Sequence, residues 1–77
     1  MRLTPEQCRA ARALLNWTQE DLAENADLSV WVVDDFETAR HPISDSLVDA
    51  MLVAFEYAGV EFMAQDKPDG TSVRFRR

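Results

Sequence analysis

Apolar positions along this chain recur at helical spacing in four stretches and then alternate. Cys8, Ala11, Leu14 and Leu15 stand three or four apart, the repeat of one buried helix face, with Arg9 and Arg12 expected on the wet side. Thr4-Pro5-Glu6-Gln7 opens that helix: Thr4 caps, Pro5 suits the first helical position, and Gln7 completes a capping box. Asn16 and Trp17 end it. Thr18 caps a second, short helix with Glu20 and Asp21 in its first turn and Leu22, Ala23 and Ala26 as its inner stripe.

Asn25-Ala26-Asp27-Leu28 is a turn of residues that tolerate left-handed backbone, and Ser29 caps a third helix from Val30 to Thr38. Val33 and Phe36 point inward by their spacing, leaving Val30, Trp31, Asp34 and Asp35 to face out. Arg40-His41-Pro42 breaks the chain, and Ser44 or Ser46 starts a fourth helix that reaches Ala58, with Gly59 in the left-handed position beyond it. Leu47, Met51, Ala54, Phe55 and Ala58 make one stripe of this helix. Val48, Leu52, Val53 and Tyr57 make a second apolar face, which either the chain's own C-terminal segment or another molecule must cover.

Val60–Met63 and Ser72–Phe75 alternate with period two around Lys67-Pro68-Asp69-Gly70, the pattern of a β-hairpin. The expected fold is mainly α: a four-helix bundle over residues 1–59, closed by a short hairpin and tail over 60–77 in the same domain. At 77 residues the chain is near the lower limit for folding on one apolar core.

Charge is unevenly spread along the chain. The chain carries a net −6, but from Thr18 to Glu61 there are eleven acids and one base, a balance of −10, with the remaining cations near the two ends. Such a body attracts basic partners and repels polyanions. Cys8 is expected as a small buried hydrophobe and His41 as a solvated loop residue with no metal-ligand partners at useful spacing. No Gly-rich phosphate loop, Cys/His pair or nucleophile with a base is visible, so the residues imply no enzyme and no cofactor. Without a leader or a membrane-length apolar run, the expectation is a cytoplasmic protein with no membrane contact.

Trp17-Thr18-Gln19-Glu20-Asp21-Leu22-Ala23, then Ala26, Leu28-Ser29, Val33 and Phe36-Glu37, resemble the helix-turn-helix of the Cro/CI-type (XRE) repressors, a lambda-repressor-like fold. The resemblance covers nearly the whole chain. It implies that the third helix occupies the place of a major-groove reader, with Thr18 and Gln19 at phosphate-contact positions, Ser29 as cap or contact, and Glu37 in an internal polar contact. It also implies a turn glycine where this chain has Ala39. Val30, Trp31 and Asp34 stand where such proteins present polar or basic groups to DNA. That composition suits a protein partner: Val30 and Trp31 as apolar anchors, Asp34 and Asp35 as complements to a basic surface, Leu52-Val53 as a second patch.

In size and acidity the chain is similar to the QseM-type antiactivators of rhizobial integrative and conjugative elements, which implies masking of a basic transcription activator linked to quorum sensing. Two alternatives stand beside this one. The first is a DNA-binding repressor, dimeric through the fourth helix, using Thr18, Gln19, Ser29 and Arg40. The second is an antitoxin-like module.

Overall fold

The computed structural model describes residues 2–62 and 73–76. Four helices run in order: α1 (Pro5–Leu15), α2 (Gln19–Ala26), α3 (Val30–Glu37) and α4 (Asp45–Tyr57). Strands β1 (Val60–Phe62) and β2 (Val73–Phe75) pair antiparallel, Val60 opposite Phe75 and Phe62 opposite Val73. The turn expected at Lys67–Gly70 lies outside the described residues, as do Met63, Ser72 and Arg77.

The helix starts follow from the capping chemistry. Thr4 and Gln7 close one capping box, and Thr18 and Asp21 close a second where the sequence pattern predicts only a cap. The Ser29 hydroxyl accepts from the Trp31 amide, while Ser44 occupies the N-cap of α4 without a side-chain bond. The ends share one solution. Asn16, Asp27 and Ala39 all take left-handed backbone, at φ of 59°, 58° and 56°. In each case two amides fold back onto the helix's last free carbonyls: Trp17 onto Arg12, Leu28 onto Ala23, and Arg40 onto Asp35 are the outer bonds. Gly59, at φ 95°, follows α4. Ala39 is the member of this set whose Cβ makes that conformation costly.

The core lies where the helices converge and comprises Leu3, Cys8, Ala11, Leu22, Ala23, Val33, Phe36, Val48, Met51, Ala54, Phe55 and Val60. Phe55 anchors it: Trp17 stacks on its ring at 5.9 Å and Phe62 meets it edge-on at 6.0 Å. Leu3, which has no helical periodicity to announce it, is completely buried.

Four expected placements are corrected. Val48, assigned to the second face of α4, is fully buried, whereas Leu47 is only half-buried. Leu52 and Val30, expected to face out, are half-buried against the core. A helix that packs on α2 along one side and β1 along another has a wider inner face than one stripe allows. Strand β1 therefore covers part of the second apolar face of α4, and Val53 and Tyr57 stay exposed. Among the described residues no helix is long and apolar enough to cross a membrane.

Candidate interaction surface

Helix α3 packs through Val33 and Phe36 and turns its other side outward. Trp31 sits in its first turn with 74% of its surface exposed, as its spacing predicts. Its ring has no role in the core.

The acids of α3 behave in two ways. Glu37 is buried and gathers four side-chain donors. Arg12 Nε and Nη2 lie at 2.7 and 2.8 Å, Cys8 Sγ at 3.0 Å and Gln19 Nε2 at 3.0 Å. The Arg9 guanidinium caps the Glu37 carbonyl at 2.5 Å. Burial alone would raise the Glu37 carboxyl, but the hydrogen bonds from Arg12, Cys8 and Gln19 outweigh it and hold the group below the ordinary carboxylate range. The same hydrogen bond to Glu37 carries the Arg12 guanidinium upward against its own burial. Burial, reinforced by the hydrogen bond and charge of Glu37, pushes the Cys8 thiol up. Arg12 is thus not on a wet face, and Cys8 is a hydrogen-bond donor as well as a small apolar group. The internal polar contact expected at Glu37 is present.

Asp34 and Asp35 are half-buried rather than fully outward. The left-handed turn at Ala39 throws Arg40 back along the helix, where its guanidinium lies 3.9 Å from Asp34 and 3.8 Å from Asp35. The α3 acids are therefore partly offset by a cation beyond the helix, at separations where partly exposed pairs gain little.

Each polar group that the resemblance sets against DNA also has a partner within the fold. The Gln19 amide donates to Glu37 and, at 3.4 Å, to Asp34. The hydroxyls of Thr18 and Ser29 accept from their own helix amides, and Arg40 is held beside two carboxylates. Leu52 and Val53 do not form one patch, because Leu52 turns inward while Val53, 46% exposed, joins Tyr57 on the outer side of α4. The pairing of Arg12 with Glu37 escapes sequence reasoning: 25 residues separate the partners, and only an arginine at an otherwise outward position beside an inward glutamate hints at it. His41 is exposed, and among the described residues no cluster of His, Cys, Asp and Glu suits a metal ion.

Residues 9–62 match the sequence model of a helix-turn-helix family. No curated protein matches the chain.

Proposed function

We propose that this chain, which belongs to the XRE type of the helix-turn-helix family of transcription regulators, acts by binding a basic protein rather than an operator. The observation that carries this reading is Trp31, an exposed indole at the head of α3, followed on the same helix by Asp34 and Asp35. Large aromatic side chains ringed by polar groups are the anchors on which protein interfaces depend. The carboxylates beside it favour a cationic partner and disfavour phosphates. A transcription activator presents such a cationic surface where it meets DNA, so an acidic domain seated there blocks it. The activity proposed is antiactivation.

Operator binding is the second reading, and one observation favours it: the capped starts of α2 and α3 leave the Thr18 and Ser29 hydroxyls at the surface in the positions where this fold meets DNA. The two readings part in one experiment. Mobility shifts on the DNA upstream of the protein's own gene, run across a salt series, show no sequence-selective complex if α3 serves a protein. Affinity capture from the native host then yields a partner that Trp31→Ala loses and that Asp34→Lys with Asp35→Lys weakens. Trp31→Ala keeps the wild-type melting temperature within about 2 °C, because an exposed side chain carries little stability; melting curves for the double lysine variant check that the loss of the half-buried Asp34 and Asp35 leaves it folded. Tight, sequence-selective DNA binding at physiological salt eliminates the proposal. A large loss of melting temperature in Trp31→Ala would place the indole in the fold instead of the interface.

A further inference from the structure

Away from α3, the C-terminal end of α2 and the side of α4 from Asp49 onward border an open groove of about 510 Å³. Its floor is apolar: Ala26, Ala50 and Val53, with Tyr57 at its edge, 89% exposed. Asp27 and Asp49 stand in its wall, and Glu56 shares the neighbouring hollow with Val53, Tyr57 and Arg76. No residue of α3 contributes to it.

Three features give this groove a sign. Helices α2 and α4, with the Asp27 cap, carry seven acids and no base. Two of the seven have local duties: Asp21 closes the cap of α2, and Asp45 pairs with Arg2. Asp27, Asp49 and Glu56 form no ion pair among the described residues. Second, the groove takes in the carbonyl ends of both helices, at Ala26 and Ala58, where the macrodipoles add negative potential and a cation is the favoured neighbour. Neither helix has a base in its last turn. Third, the backbone does not need the charge at position 27. Asn16 takes the same left-handed geometry at the end of α1, so a neutral amide would serve there, yet α2 ends on a carboxylate against its own dipole.

We propose that this groove docks a cationic amphipathic helix from a partner protein, its apolar stripe on Val53 and Tyr57 and its lysines or arginines toward Asp27, Asp49 and Glu56. A helix fits better than an extended peptide because α2, α4 and their C-caps line the groove, and among the described residues no strand edge there can pair a partner backbone; a docking helix satisfies its own. A second copy of this chain is disfavoured on charge, since a two-fold contact would set this acidic face against its own copy. The proposal goes beyond antiactivation through α3 and does not depend on it.

The probe is a synthetic peptide of about 15 residues, with leucines at helical spacing and lysines elsewhere, compared with a scramble of the same composition. Titrated into the full-length ¹⁵N-labelled protein, the patterned peptide should give saturable amide shifts at Ala50, Val53 and Ala58, with the Trp31 indole unmoved. Tyr57→Ala should weaken binding about tenfold, and Asp27→Asn with Asp49→Asn should weaken it and flatten its salt dependence. Trp31→Ala should bind the peptide as wild type does, which separates this site from the α3 surface. Melting curves confirm that each variant folds. Equal binding by the scramble, shifts that map to α3, or no saturable binding would overturn the proposal. So would a dimer that Tyr57→Ala dissociates, since a second copy would then occupy the groove.

Discussion

Replacing Glu37 by glutamine keeps the size of the side chain and removes the charge on which four donors converge. One acceptor oxygen becomes an amide donor facing other donors, and Arg12 loses its counter-ion. Removing one partner of a buried ion pair costs about 3–5 kcal/mol. Here Arg12 keeps its bond to the Trp17 carbonyl at 3.0 Å and part of its surface stays wet, so the expected loss is about 2–3 kcal/mol. A core of this size supplies only about 3–5 kcal/mol in all. For a domain of this length the loss corresponds to a drop of roughly 10–20 °C in melting temperature. Far-UV circular dichroism on heating measures it directly. Replacing both partners, Arg12→Met with Glu37→Leu, leaves no orphaned charge and should recover at least half of the loss. The Glu37 carboxyl is held below its ordinary range, so its contribution is present above about pH 4.3 and disappears as pH falls through the folded value. Glu37→Gln lacks that acid-limb slope. A Glu37→Gln protein that melts within about 3 °C of wild type would refute the view that this cluster ties α1, α2 and α3 together.

Two further outcomes follow from local geometry and burial. Ala39→Gly relieves the left-handed strain after α3 and should raise the urea midpoint by an amount equivalent to about 1 kcal/mol, whereas the same change at a right-handed surface position would lower it. The Cys8 thiol, pushed up by burial, ionises in the unfolded chain first, so its contribution is complete below about pH 8.5 and is lost as pH rises beyond it; Cys8→Ala should remove that alkaline slope, and native protein should resist thiol reagents until it unfolds.

How far the sequence reaches is clearest at the helix ends. Thr4, Thr18 and Ser29 announce their helices because a cap is a bond between residues two or three apart, and local chemistry decides it. Asn16, Asp27 and Gly59 mark the ends for the same reason, since left-handed backbone is a property of one residue. The inward placing of Val33 and Phe36, and with it the exposure of Trp31, follows from helical period alone. The fold, the outward indole and the acidic middle of the chain are thus legible in the order of residues itself.

Periodicity gives the direction of a side chain but not the width of the face that a neighbour covers. Val30, Val48 and Leu52 therefore sit deeper than their spacing implies: whether a residue at the edge of a stripe is wet depends on what α2 and β1 lay over it. Polar pairing across the fold is hidden for a related reason. The Arg12–Glu37 pair and the Gln19 contact join residues 18 to 25 positions apart, and only convergence of α1, α2 and α3 makes them neighbours. The groove between α2 and α4 is likewise a product of packing. Local chemistry dictated where the elements begin, end and point; which of their outward groups are spent on each other, and which remain for a partner, was decided by the tertiary structure.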